Sequence, residues 1–391
     1  MKILMINSVC GIRSTGRICT DLATELEREG HEVKIAYGRE SVPEKFQKYA
    51  IRIGNDFDVK LHGLKARLAD ASGFGSKLAT KKFIRWVKEY DPDVVHLHNI
   101  HGYYINLKIL FEYLRESNKP VIWTLHDGWS FTGHCSKFAS EKCNRWESRC
   151  YSCPAKHMYP KSFVDRSSYN YITKKQIFTS LSNVTVVTPS KWLADITNKS
   201  FLNKFNITVV NNGIDINVFK PTYGEFRKKY QLENKKIVLG VASAWGKSKG
   251  LYDFVKLAEM LDSDYQIVLV GVSQKQQSEL PDNIIAIPLT NSPEELAEIY
   301  TAADVFVNPT YSDNYPTVNL EAHACGTPVI TYHTGGSVES VHNDCVVEQG
   351  NVEKLVEKIC RNDAKIKEEI LLDKKTMLDK YLEIYKICVL S

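Results

Sequence analysis

No run of apolar residues in this 391-residue chain approaches the ~18 needed to cross a bilayer. The opening Met1-Lys2-Ile3-Leu4-Met5-Ile6 is too short for the hydrophobic stretch of a secretion signal, so a cytoplasmic protein is expected. Net charge is small as well: 51 Lys and Arg against 46 Asp and Glu leave +5, which gives no sign of a nucleic-acid partner. Internal repeats and low-complexity segments are missing. The first glycine-rich turn, C-G-I-R-S-T-G-R, lacks the G-x-G-x-x-G spacing of a dinucleotide site. Asp91-Pro-Asp93 and Asp262-Ser-Asp264 spell D-x-D, but the first precedes a buried strand and the second ends a helix, so neither reads as a metal motif.

What is present is enough apolar residue, 43%, for two cores, and a length greater than one core usually serves. Short apolar runs alternate with helical periodicity: strands at Ile3 to Ile6, His31 to Ala36, Asp93 to Leu97, Val121 to Leu125, Val184 to Thr188 and Ile207 to Val210. A second series follows at Lys236 to Val241, Val268 to Gly271, Ile284 to Ile287, Val305 to Val307 and from Val329. Such alternation predicts two α/β domains with parallel sheets. A helix is expected from Thr15 to Glu29 after a loop at Gly11 to Gly16, another from Pro293 to Ala303, and a terminal one from Lys374 to Cys388.

The most informative stretch is Asn308 to Ile330, N-P-T-Y-S-D-N-Y-P-T-V-N-L-E-A-H-A-C-G-T-P-V-I. It reads as a strand end, a polar loop, a short helix through Leu320 to Ala324, a Gly-Thr-Pro stop and a second strand. Asp313 and Glu321 bracket a helix N-terminus, whose unpaired amides welcome an anion. Acid, seven residues, Glu, then Ala-His-Ala-Cys-Gly-Thr-Pro-Val resembles the signature of the retaining GT-B glycosyltransferases of the family-4 (group 1) type, with Asp where most members carry Glu.

The resemblance covers nearly the whole chain and implies two Rossmann-like domains with parallel sheets facing a central cleft. It places the first domain at 1–215, a nucleotide-sugar domain at 216–373, and a segment 374–391 crossing back to the first. Asn212-Gly213-Ile214-Asp215 with Phe219 and Pro221 matches the family's hinge, and Pro189-Ser190-Lys191-Trp192 its P-S-x-W segment. By the same resemblance Glu321 holds the nucleotide ribose, and Asp313 lies by the donor sugar. Tyr315, Pro316, Thr317, Val318, Asn319 and Leu320 are expected along the donor, with Ser190 and Ser243 as further contacts. Gly16 and Arg17 match the glycine-rich turn near the diphosphate, and His126, after the strand Val121 to Leu125, matches a histidine beside the sugar's reacting carbon. Lys249-Gly250 matches the diphosphate clamp, but Ser243 and Ala244 stand where the family has Arg, leaving Lys247 as the second cation. His126, Lys249 and Asp313 are thus the catalytic candidates.

The implied activity is metal-independent transfer of a sugar from a UDP- or GDP-sugar to a glycan or lipid-linked acceptor, in the branch that builds capsule and exopolysaccharide. Two other readings use the same scaffold: a sugar-nucleotide 2-epimerase, which needs no acceptor, and a non-catalytic nucleotide-sugar sensor.

Two features fall outside that motif set. Cys135, Cys143, Cys150 and Cys153, spaced C-x7-C-x6-C-x2-C in a polar insertion at 134–160, suggest a structural zinc that would supply folding energy, with His134 and His157 as substitute ligands. His96, His98 and His101 are read instead as packing or sugar-binding groups. From Lys60 to Lys88, eight Lys and Arg face one acid, on two amphipathic helices broken at Gly73-Phe74-Gly75. Val59, Leu61, Leu64 and Leu68 form the apolar face of the first helix. The basic side suggests peripheral contact with an anionic membrane, on the inner face of the cell membrane.

Overall fold

The computed structural model describes residues 1–138, 143–367 and 373–390. It divides into two compact units, Met1–Val210 with Leu378–Ser391, and Asn211–Met377.

The first unit runs β1 (Lys2–Ile6), α1 (Arg13–Arg28), β2 (Glu32–Tyr37), β3 (Ala50–Arg52), α2 (Asp56–Ala69), α3 (Lys77–Tyr90), β4 (Val94–Leu97), α4 (Leu107–Ser117), β5 (Val121–Thr124), α5 (Ser167–Phe178), β6 (Val184–Thr188), α6 (Lys191–Lys199) and β7 (Asn206–Val209). Its strands form one parallel sheet in the order β3-β2-β1-β4-β5-β6-β7. Alternate residues enter one apolar layer: Leu4, Ile6, Val95, Leu97 and Trp123 pack with Phe83 and Val87 of α3, Leu110 and Phe111 of α4 and Phe178 of α5.

The second unit continues with α7 (Phe226–Lys229), β8 (Lys236–Val241), α8 (Leu251–Met260), β9 (Tyr265–Val270), α9 (Gln274–Gln277), β10 (Ile284–Ile287), α10 (Pro293–Ala302), β11 (Val305–Asn308), α11 (Thr317–Ala324), β12 (Val329–Tyr332), β13 (Val346–Val347) and α12 (Val352–Arg361), before α13 (Lys374–Leu390). The sheet order is β10-β9-β8-β11-β12-β13, again parallel. Both faces are covered. Val238, Ile267 and Leu269 pack with α8 and α12, while Ile237, Leu239 and Val268 pack with α10 and α11. A sheet buried on both faces needs the near-continuous Val/Ile/Leu runs seen in the sequence.

The hinge motif has a local use inside the second unit. Ile214 accepts from Lys374 N–H at 2.7 Å, and a Cβ on Gly213 would stand 2.7 Å from Lys374 Cα, so only glycine admits this approach. Beyond Met377, α13 belongs to the first unit, where the Tyr381 hydroxyl meets Thr124 Oγ1 at 3.0 Å and the Tyr385 hydroxyl meets His96 Nδ1 at 2.5 Å.

One expectation needs correction: helix α1 begins at Arg13 instead of Thr15, so Gly16 lies within its first turn and not on the loop expected at Gly11 to Gly16. Helix α2 turns its leucines outward: Leu61, Leu64 and Leu68 are 54%, 52% and 56% exposed, and His62 and Ala66 are its buried residues. The reason is His62. Its Nε2 accepts from Gly73 and Gly75 N–H at 3.2 and 3.0 Å, and its Nδ1 lies 2.9 Å from Ser76 Oγ, so the imidazole ties α2 to the turn that starts α3. A Cβ on Gly75 would strike that ring at 2.4 Å, which explains the glycine there. Among the described residues no helix is long and apolar enough to cross a membrane.

Candidate active site

In the second unit β11 delivers the chain to Asn308, a loop follows, and α11 starts at Thr317 with Pro316 at its N-cap and no side-chain cap bond. The first-turn amides therefore carry the partial positive charge of a helix start. Against this loop lies the 3-10 turn Lys247–Lys249. Tyr311 N–H donates to Ser248 O at 3.0 Å, and Gly250, at φ +73°, packs so closely that a Cβ would stand 2.3 Å from Pro309 O. That approach brings Lys249 Nζ within 2.6 Å of Asp313 Oδ2, with the two side chains 33% and 18% exposed. Eight residues on from Asp313, the half-buried Glu321 accepts from the Tyr300 hydroxyl at 3.1 Å.

The other expected donor contacts divide into two groups. Thr317 and Val318 are half-buried, and Ser243 and Lys247 are exposed. Tyr315, Pro316, Asn319 and Leu320 are buried, so any contact they make runs through the backbone. Asn319 is a scaffold hub: its Oδ1 accepts from Asn308 Nδ2 at 2.8 Å and its Nδ2 donates to Ser340 Oγ at 2.9 Å. This network ties the end of β11 and the start of α11 to the 3-10 turn Gly335–Ser340, and Tyr300 fixes Glu321. Sequence reasoning named neither Tyr300 nor Ser340. An amide side chain in the first turn of a buried helix was the one signal for the Asn319 hub.

In the first unit His126 follows β5, and its Nε2 lies 3.0 Å from His98 Nδ1, the rings stacked at an interplanar 13°. Burial pushes His126 down to about 4 and His98 well below its ordinary value, so both imidazoles are neutral near pH 7. Asp127 Oδ2 lies 2.9 Å from His101 Nε2, while His101 Nδ1 meets the Tyr159 hydroxyl at 3.1 Å. The result is a polar line of imidazoles, one carboxylate and one phenol at the carboxyl ends of β4 and β5, where open parallel sheets bind ligands. Gly16 is buried and Arg17 exposed. Ser190 is fully buried and its Oγ accepts from Leu193 N–H at 3.1 Å, so the hydroxyl caps α6 and is not free for a substrate.

The structure lends the zinc expectation no support. Among the described residues, which exclude 139–142 of the insertion, no group of three or more His, Cys, Asp or Glu side chains is placed to hold a metal ion. All four cysteines are free thiols. They line one small cavity with His134; Cys150 Sγ accepts from Gly133 N–H at 3.1 Å, and the Cys135 and Cys153 thiols share a hydrogen bond. Of the substitute ligands, His134 holds its Nδ1 2.6 Å from the buried Asp70 Oδ1 and leaves its buried Nε2 without a hydrogen-bond partner among the described residues, while His157 is exposed. Nor does the insertion lack a core. Phe131, Phe138 and Trp146 pack mutually with centroids 5.1 to 5.6 Å apart, and Phe138 stacks on Trp192. Lys174 closes it from below, buried, with Nζ 2.7 Å from Trp129 O and 3.3 Å from the Trp129 ring centroid. Burial pulls this lysine down to about 7.

The geometry agrees with the comparisons. Residues 15–218 match the model of Glycosyltransferase Family 4, and residues 223–362 that of Glycosyl transferases group 1. The chain belongs to the group 1, family-4 glycosyltransferases. It is therefore a transferase by family, and its two parallel-sheet units are those of the GT-B fold. It is 27% identical over 256 residues to the colanic acid biosynthesis glycosyl transferase WcaC, so described provisionally, of Escherichia coli K12, covering 63% of this chain and 62% of that protein. It is 28% identical over 209 residues to the N,N'-diacetylbacillosaminyl-diphospho-undecaprenol alpha-1,3-N-acetylgalactosaminyltransferase of Campylobacter jejuni, 47% of this chain and 55% of that one. The matches thus span less than two thirds of these curated relatives. Anabaena HepE, solved with UDP and glucose, superposes with a TM-score of 0.68 over 99% of each chain at 15% identity, a likeness of fold.

Proposed function

We propose that this family-4 transferase moves a sugar, with retention, from a UDP- or GDP-sugar to a glycan or lipid-linked acceptor in cell-surface polysaccharide biosynthesis. The observation that carries the reading is the Lys249–Asp313 pair at 2.6 Å beside the uncapped start of α11, with Glu321 on the same helix. A diphosphate entering there would exchange the carboxylate for its own oxygens on Lys249 Nζ, and Lys247 and the first-turn amides would share the remaining charge. Glu321 would accept from the ribose hydroxyls, and Asp313, released from Lys249, would lie by the sugar.

Such a site stabilises the leaving diphosphate through fixed cations and amides, so the reading calls on no divalent ion. The departing phosphate oxygen takes the acceptor's proton as the new glycosidic bond forms on the same face. His126, neutral near pH 7, acts as a hydrogen-bonding group on the sugar. The colanic acid role in the Escherichia relative's name supports polysaccharide biosynthesis, and the diphospho-undecaprenol in the Campylobacter relative's name supports a lipid-linked acceptor.

Lys249→Ala tests this. Turnover of UDP- or GDP-sugars should fall on the order of 10²-fold, as loss of one transition-state donor typically does, with the melting midpoint retained. Unchanged turnover would sink the assignment. Conversion of the donor to its C2 epimer without acceptor, by the unaltered protein, would replace transfer with epimerisation.

A further inference from the structure

Helix α2 is amphipathic the wrong way round for a soluble surface. Phe57, Leu61, Leu64 and Leu68, spaced four, three and four residues apart, share one stripe and are 72%, 54%, 52% and 56% exposed. The opposite side, through His62 and Ala66, is the one that packs into the body. Lys60 and Arg67 flank the stripe on one side and Lys65 on the other, and all three are exposed. Past the helix end, Phe163 N–H donates to Arg67 O at 2.8 Å, which adds Phe163, 61% exposed, to the apolar surface. Helix α3 then presents Leu78, 82% exposed, among the exposed Lys77, Lys81, Lys82 and Arg85.

Among the described residues none of the eight cations from Lys60 to Lys88 forms an ion pair within 4 Å. Local acids offer little competition. Asp56 pairs with Arg52, Asp58 closes the capping box with Asn55, and Asp70 is buried against His134. Glu89, at the far end of α3, and the Arg52-paired Asp56 are the exposed acids among them.

We propose that α2 docks in the plane of an anionic lipid bilayer, its Phe57-Leu61-Leu64-Leu68 stripe entering the acyl boundary while the unpaired cations of α2 and α3 meet the headgroups. An apolar stripe between rows of lysine and arginine is what an interface-lying helix needs, because the long stems can lie along the acyl region while the charges stay at headgroup level. Charge complementarity selects anionic lipid over neutral lipid or an apolar protein groove. The inference extends the cation-led membrane contact read from the sequence: the exposed leucine stripe is the inserting element. It does not depend on the catalytic assignments, since docking needs neither donor nor acceptor.

The test is co-sedimentation of the full chain with phosphatidylcholine vesicles and with vesicles containing phosphatidylglycerol, at low and high salt. Binding should favour the anionic vesicles at least tenfold and fall as salt rises. The triple variant Leu61→Ser, Leu64→Ser, Leu68→Ser should lose at least tenfold of that binding with no fall in melting midpoint, because these side chains are already in water. A Leu64→Trp variant should show blue-shifted emission with anionic vesicles only. Unchanged binding by the triple serine variant overturns the proposal, and so does equal binding to both vesicle types. A stripe that serves a second copy of the chain would instead give a protein that dimerises without lipid and becomes monomeric in the serine variant, which also overturns it.

Discussion

Glu321 and Lys249 differ in what the fold asks of them. Glu321 is already bonded to the Tyr300 hydroxyl, so a ribose would be a further partner of a carboxylate held in place. Gln in its place keeps an acceptor for Tyr300 but loses the charge-assisted bond, worth about 1.5–3 kcal/mol. Glu321→Gln should therefore weaken UDP or GDP binding on the order of tenfold or more while thermal stability is unchanged. Titration calorimetry showing equal affinity would remove Glu321 from the nucleotide site. Motif spacing marked Asp313, Glu321 and Lys249 in the sequence, because backbone turns of fixed length carry them. It could not mark Tyr300, Ser340 or Tyr159, which reach their partners from other elements across the fold. Ser190 was legible as a motif member but not as a cap, since only the helix start at Lys191 shows that Leu193 N–H uses its hydroxyl.

At the scale of elements, the strands were the most legible part of the chain, because sheets covered on both faces leave long apolar runs. The second strand of the first unit, the strand at Val184 to Thr188 and the strand at Lys236 to Val241 lie where alternation placed them, within a residue. Helix α2 was legible as an amphipathic helix but not in its orientation: leucine periodicity says that a stripe exists, and a buried histidine decides which way it points. The insertion was misread in composition, its polar average hiding three aromatics that find one another. Trp146→Ala should thus cost about 3–5 kcal/mol, as truncation of a packed aromatic does. Cys153→Ser should cost less than about 1.5 kcal/mol, as a near-isosteric change at a half-buried site. Paired thermal melts decide it. A larger loss from Cys153→Ser, or about one equivalent of zinc per chain by elemental analysis, would restore the metal reading.

For the whole molecule, acid is the predicted weakness. Burial holds His62, His126 and His323 down to about 4 and His96 down to about 3, against 6.5 for a free imidazole. An unfolded chain takes up these protons as pH falls below about 6.5, and the folded one refuses them until near pH 4. Their stabilisation is complete above pH 6.5 and is lost as the medium acidifies towards 4. Each buried imidazole contributes a slope on the order of 1 kcal/mol per pH unit in that window. Melting midpoints should therefore fall steeply between pH 6.5 and 4.5, and above pH 7 they should still rise, because buried Lys174, pulled down to about 7, has released a proton that the unfolded chain keeps. A flat profile across the acid range would mean that these rings are solvated.

The division of α13 between the two units has a consequence for synthesis. His96 and Thr124 belong to the central strands of the first unit, yet Tyr385 and Tyr381, which meet them, are encoded after the entire second unit. As the chain leaves the ribosome, His96 and Thr124 have each other at 2.8 Å, but the partners from α13 are missing until the second unit has emerged. Closure of the first unit is thus a late event, and a nascent chain stalled short of α13 would offer chaperones an unfinished sheet instead of a completed domain.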